Sequence, residues 1–405
     1  MPLARSASTP RSRPVGSIDG MNDAATATRI SSESLTGPRW LLRSAVAAFQ
    51  PNRLVLGTFL ALVLGAVGSL ADRLHDSAGL RQVSAVEVIR GLRGDGSFVT
   101  DRAFADLAGG PCAALAAAET MALRNLAEGI LGLEPRKAID AIGDAVLRAP
   151  AAAFEAAPWT MGLVAVVWLA ISGLVGGALS LATALEAGRS IRIGARDALA
   201  AVLPRWRSLM LAPILPLVGA GICLVPVAIL GLGFRVPVLD LIAAAVYPVA
   251  LFLGFLAVFL LVAGAACLPL MPAAIACGDA DAVDAFVRNA AYLVRTPFLW
   301  LGSMAVSLVS LAIGLAVAST LGSLVLGLTG LVTTWAGGGW PGEGDPSAVG
   351  SILRLWEGLV RAIVAGWIVS FAFEAATRVY LTLRFRCDGQ DPSTLDGVTL
   401  SAARP

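Results

Sequence analysis

His75 is the sole histidine, Lys137 the sole lysine, and only 14% of the 405 residues are charged. One histidine leaves no imidazole cluster for zinc. Five cysteines, Cys112, Cys223, Cys267, Cys277 and Cys387, fall at no CxxC or other ligand spacing. No metal and no cofactor is therefore expected. Nor is there a nucleophile elbow, a catalytic carboxylate pair, a zinc-binding helix or a phosphate loop. The glycine clusters at Gly91–Gly96 and Gly337–Gly344 lack a following helix signature and read as turns. No catalytic residue can be named, an enzyme is not expected, and neither is a nucleic-acid partner.

What the chain has in quantity is apolar side chain: 57% of residues are hydrophobic and the mean hydropathy is +0.78. A soluble domain is excluded. Apolar runs able to cross about 30 Å of hydrocarbon, roughly 20 residues each, occupy residues 54–71, 159–184, 209–231, 241–268, 298–320 and 359–383. The expected fold is an all-α polytopic bundle of six spans, arranged as three parallel hairpins, each preceded by an amphipathic surface helix. Residues 1–36, rich in Ser, Thr, Ala and Arg, have the composition of a disordered tail. Their arginines have no apolar core behind them before Trp40, so the first span is expected to remain as an uncleaved anchor.

Orientation follows from basic residues in short loops. Arg189, Arg192, Arg196, Arg205 and Arg207 lie between spans two and three, Arg288 and Arg295 between four and five, and Arg378, Arg384 and Arg386 at the end of span six. The loops on the other side carry only Arg235 and, from Trp335 to Ile352, no basic residue. Both termini are thus expected in the cytoplasm and residues 72–157 outside. The predominance of arginine over lysine fits lipid-phosphate contacts, and codon bias in a G+C-rich genome explains it as well.

The repeating unit is a surface helix, a proline, an arginine and a span. In residues 37–71 it is RWLLRSAVAAFQ, with Arg39, Arg43 and Gln50 opposite Leu41, Leu42, Ala45 and Phe49. In residues 158–271 it lies in the arginine-rich loop 186–208, where Ile191, Ala195, Ala198, Leu199 and Val202 form the apolar stripe. Arg192, Arg196, Arg205, Trp206 and Arg207 are the candidate contacts to anionic lipid headgroups. In residues 272–386 the helix covers 279–296, with Val283, Phe286, Val287, Ala290 and Val294 as the stripe and Asp284 paired to Arg288. Residues 387–405 form a cytoplasmic tail. In the exported segment two helices are expected, one too charged to span, with Glu119, Arg124 and Glu128. The other sets Ile139, Ile142 and Val146 opposite Lys137, Asp140 and Asp144. Gly173, Gly176, Gly177 and Ser180 provide small residues for close helix packing.

Ionisable residues at membrane depth are candidates by default. Glu374 with Arg378, and Glu186 with Arg189, are spaced to pair along their helices. A structural ion pair is the first reading, a ligand or proton site the second.

Three stretches carry a resemblance: GLVGGALSLATALEAGRSIRIGARDALAAVLPRWRSLMLAPILP, LPLMPAAIACGDADAVDAFVRNAAYLVRTPFLWL and ATRVYLTLRFRCDGQDPSTLDGV, together about a quarter of the chain. They resemble a family of bacterial multi-pass inner-membrane proteins common in planctomycetes. More distantly they are similar to the membrane domain attached to some glycerophosphodiester phosphodiesterases. That family has a Ser-rich, Tyr-rich run in place of Arg288-Asn289-Ala290-Ala291-Tyr292 and more basic residues around Gly188. The resemblance implies a bacterial cytoplasmic-membrane address and transfers no substrate and no catalytic residue. Three classes remain. The first is a non-enzymatic scaffold or accessory component in the lipid bilayer, bound to anionic headgroups or an unidentified membrane-protein partner. A transporter with a site near the bundle centre comes second. An intramembrane enzyme comes last, for want of any catalytic constellation.

Overall fold

The computed structural model describes residues 38–77, 109–235, 239–278, 280–337 and 348–392. The tail 1–36, the cluster Gly91–Gly96, residues 338–344 of the second cluster and residues 393–405 lie outside the described residues. Among those described, every regular element is a helix.

The chain runs through α1 (Pro38–Ala47), α2 (Pro51–Ser77), α3 (Pro111–Leu131), α4 (Pro135–Gly143), a π turn Asp144–Arg148, α5 (Ala149–Ala156) and α6 (Pro158–Arg189). It continues with α7 (Ala195–Val202), α8 (Trp206–Leu211), α9 (Leu215–Gly233), α10 (Leu239–Cys267), α11 (Met271–Cys277), α12 (Ala282–Arg295), α13 (Pro297–Gly337) and α14 (Ala348–Asp388). Proline opens α1 to α4, α6 and α13, a position that lacks an intrahelical hydrogen-bond acceptor in any case. Six helical stretches are long and apolar enough to cross a membrane: Pro51–Ser77, Pro158–Arg189, Ala195–Gly233, Leu239–Cys277, Pro297–Ala336 and Val349–Asp388. The protein is an all-helical, multi-pass membrane protein.

Its exterior confirms that solvent. Leu241, Phe252, Phe255, Leu324 and Leu328 are each more than 60% exposed, a surface that water would not tolerate at this extent. Trp159, Trp335 and Trp356 stand exposed near span ends, where amphipathic rings favour the headgroup level.

The tightly packed core sits at one end. Val175 to Leu185 of α6, Met271 to Cys277 of α11 and Trp367 to Leu383 of α14 supply most of the side chains with almost no exposure. Lipid is as apolar as leucine, so packing here rests on close approach and polar bonds rather than on escape from water. Gly176 lies under the Phe373 ring, and Gly177 against Val202 and Leu209. Gly57 of α2 and Gly366 of α14 meet backbone to backbone.

Two of the expected apolar stripes face away from the protein. On α12 the packed face is Ala282, Ala285, Asn289 and Tyr292, while Val283, Val287 and Val294 are more than half exposed. Along α4 and the π turn, Ala141 is buried and Ile139 and Val146 are exposed. Small residues let helices approach, and large apolar ones can face lipid at no cost. On α12, Asp281 caps the helix through the Asp284 N–H at 2.8 Å, and Asp284 pairs with Arg288 at 2.9 Å as its spacing predicts.

Helices α3 and α5 pack on the ends of α2 and α6 through Ala71, Cys112, Leu115, Ala153 and Met161. The Asp72 carboxylate accepts the N–H groups of Cys112 at 2.8 Å and Ala113 at 2.9 Å. It thereby caps α3, whose own N-cap, Gly110, has no side chain to do so. Glu119 shares a stripe with the buried Leu115, Ala122 and Leu126. Loss of solvent pushes its carboxyl up from 4.5 to about 7. In that window the folded state holds a proton that the unfolded chain has released, so stability falls as pH rises through it. Melting curves from pH 5 to 8 should show this decline, and Glu119→Gln should flatten it.

Candidate functional site

Three hinges converge at the packed end. Helix α6 stops at Ser190, which takes the left-handed conformation, φ 57°. The Ser190 N–H bonds to Glu186 O at 3.1 Å and the Ile191 N–H to Leu185 O at 3.2 Å, closing the last carbonyls. The reversal brings Arg192 back over Glu186. Pro51 starts α2 two residues before Arg53, so Arg53 points inward from the first turn. Glu374 and Arg378 stand one turn apart on α14.

The result is a buried charge network across α2, α6 and α14. Glu374 is fully buried, and Arg53 and Arg378 are 3% and 6% exposed. Arg378 donates to Glu374 Oε1 from Nη2 at 2.8 Å and from Nε at 3.1 Å. Glu374 Oε2 accepts from Arg53 and from Thr183 Oγ1, the latter at 3.2 Å. Glu186 accepts from Arg53 at 2.5 Å, Gln50 at 2.8 Å and Arg192 at 3.1 Å. Trp40 of α1 closes the far side: its carbonyl accepts from Arg378 at 3.2 Å, and its ring lies 4.8 Å from the guanidinium.

Two buried guanidiniums thus face two carboxylates, and the charges cancel. Ionised carboxylates offer about four acceptor positions. Glu374 meets three guanidinium N–H donors, and the Thr183 hydroxyl beside it has its single proton shared with Leu179 O at 2.8 Å. Glu186 meets three donors and retains one position. A buried carboxylate paired to two guanidiniums in this way holds helices together.

The anticipated partners are distributed differently from their spacing. Glu374 and Arg378 are joined as described. The bonds of Glu186 run to Gln50, Arg53 and Arg192, and Arg189 is exposed at the helix end. Arg196 is exposed, and Arg207 stacks over the Trp206 ring at 5.7 Å, both exposed. Arg205 is turned inward, donating to Ile275 O at 2.9 Å and Gly278 O at 2.7 Å, where it caps the C-terminus of α11. Arg384, read as a flanking residue, is 1% exposed and donates to Gln390 at 2.5 Å. Tyr292 donates to Asp388. Burial first, and that carboxylate next, push the Tyr292 hydroxyl up, so it stays a donor at neutral pH. Arg53, Gln50, Trp40 and Thr183 were missed. Arg53 carried a signal, a basic residue at the start of an apolar run, but its partners lie 133 and 321 residues away.

No group of three or more His, Cys, Asp or Glu side chains placed to hold a metal occurs among the described residues. Comparison with known proteins found no matching family model, no matching curated protein and no matching solved structure. The planctomycete-type resemblance therefore identifies no family, and the shared ground is a multi-pass helical membrane protein with six candidate spans.

Proposed function

We propose that this protein is a non-enzymatic scaffold or accessory component of a bacterial cytoplasmic membrane, with both termini and the arginine-bearing hinges in the cytoplasm. The double arginine pairing of Glu374 carries this reading. A transport site needs a polar group that can exchange partners, and the most deeply buried carboxylate here is held by two buried guanidiniums. The orientation draws support from the hinge bonds. Glu186 to Arg53, Arg205 to the carbonyls around Gly278, and Tyr292 to Asp388 tie the basic loops to a common end, which the excess of arginine in short loops assigns to the inside. Basic residues left exposed there, Arg196 and Arg207 among them, are each worth about 1 kcal/mol near an anionic leaflet.

Reporter fusions after Pro204 and Thr296 are expected to give cytosolic signals, and a fusion after Gly342 an exported one. A common side for Thr296 and Gly342 would overturn the orientation. Purified protein in proteoliposomes should pass no solute above empty vesicles. Flux that disappears in Glu374→Gln would replace the scaffold with a transporter.

A further inference from the structure

A cleft of 160 Å³ opens beside the network, between the first turn of α2 and the loop leading into α7. Its polar wall is Arg53, Glu186, Arg192 and Gln50, and its floor is Leu56, Ile193 and Ala198. Pro51, Asn52 and Arg192 at the mouth are exposed. At about 30 Å³ per water the space equals roughly five waters, which suits the polar head of an amphiphile and not its chains.

Charge complementarity selects the head. The buried guanidiniums and carboxylates balance two against two, and Arg192 at the mouth adds one cation that a phosphodiester would neutralise. Two groups at the cleft keep bonding capacity. Arg192 is 76% exposed at the side chain and uses only Nε on Glu186, leaving both terminal amino groups in the fork that suits phosphate. Glu186 retains one acceptor position, and ammonium brings three donors. We propose that the cleft binds the zwitterionic headgroup of a phosphatidylethanolamine, its phosphodiester on Arg192 and its primary ammonium on Glu186. Apolar floor residues meet the ethanolamine and glycerol carbons. A quaternary choline cannot donate an N–H to Glu186, and a glycerol headgroup offers its remaining position only neutral hydroxyl donors, weaker toward a carboxylate than an ammonium.

Native mass spectrometry of the detergent-solubilised full chain tests this, with dioleoyl phosphatidylethanolamine, phosphatidylcholine and phosphatidylglycerol added in turn. Phosphatidylethanolamine should be retained at least tenfold over each of the others, about 1.4 kcal/mol. Arg192→Ala, which removes the phosphodiester contact, should lower phosphatidylethanolamine retention at least tenfold, and the cleft-filling Ala195→Leu should abolish the preference. Arg192 is exposed, so its variant folds even if Ala195→Leu does not. Millimolar glycerophosphoethanolamine should displace the lipid only weakly, because it lacks chains. Full displacement would mean a site for the free phosphodiester instead. Equal retention of phosphatidylethanolamine and phosphatidylcholine, preference for phosphatidylglycerol, or phosphatidylethanolamine retention unchanged by Arg192→Ala would each overturn the assignment.

Discussion

Arg53→Met will be the most damaging single change of a charged residue in this protein, costing about 3–5 kcal/mol. Arg53 bridges Glu374, fully buried, and Glu186, 20% exposed at the side chain. Its removal leaves two carboxylates near each other, with Arg378 and Arg192 as their remaining cations. Glu374→Gln should cost less. It leaves Arg53 on Glu186 and Arg378 on the Trp40 carbonyl and ring, and the amide oxygen still accepts. Arg192→Ala should cost at most about 1 kcal/mol, because that pair is mostly in solvent. The double variant Arg53→Met with Glu374→Gln should be less destabilised than the sum of the two. Coupling of 0.5–3 kcal/mol is usual for residues in one network. Thermal unfolding of the unmodified protein and these four variants in one detergent gives the order. An Arg53→Met midpoint equal to that of the unmodified protein, or strict additivity, would mean that the network does not hold the three spans.

The six spans were legible because crossing hydrocarbon imposes a length and a composition that local sequence displays. Pairs within one helix turn were legible too, such as Asp284 with Arg288 and Glu374 with Arg378. What stayed hidden was every bond between distant elements. Arg205 looked like a headgroup marker, since a basic residue beside an apolar run is the ordinary signal of an interface, and Arg53 received no role. Arg53 joins α2 to α6 and α14, and Arg205 caps α11. The stripes on α12 and α4, read as faces of surface helices, are exposed away from the protein, which such helices allow. Hydrophobic periodicity reports which face avoids water, and in a membrane both protein and lipid satisfy that demand. Val283 and Val287 took the lipid, and Ala285 and Asn289 took the protein.

The same physics accounts for where the core lies. With no solvent entropy to gain between apolar helices, spans associate where close approach or polar bonds hold them. Helices α9 and α10 pack on each other, with Gly264 against Pro216, and are otherwise mostly exposed, whereas α2, α6 and α14 are held where glycines and paired charges coincide. The Gly57–Gly366 contact lies one to two helix turns from Arg53 and Glu374 along α2 and α14. Close approach at the glycines sets α2 at the distance from α14 that lets the Arg53 guanidinium reach its carboxylates. Neither feature would position the helices alone.

Gly366→Val should therefore abolish the folded bundle. A Cβ at Gly366 would fall on the backbone N and Cα of Thr58, and one at Gly57 on the Gly366 carbonyl. These are main-chain atoms, which cannot rotate aside, so the helices must part. Overpacking a core typically costs about 1–3 kcal/mol, and here the displacement would also pull Arg53 from its partners. Glycine inside a helix is itself about 1 kcal/mol worse than alanine, so relief of that cost offsets part of the damage in Gly366→Ala and leaves it a measurable loss. The sign reverses where space is open. A Cβ at Gly254, inside α10, meets nothing within 4 Å, so Gly254→Ala should be neutral or stabilising by up to about 1 kcal/mol. Size-exclusion profiles and unfolding midpoints in one detergent separate the cases. Gly366→Val should elute as aggregate or unfold well below the unmodified protein, and Gly254→Ala should match or exceed it. Were both substitutions tolerated alike, α2 and α14 would not cross at Gly57 and Gly366, and the placement of Arg53 between Glu186 and Glu374 would fall with that crossing.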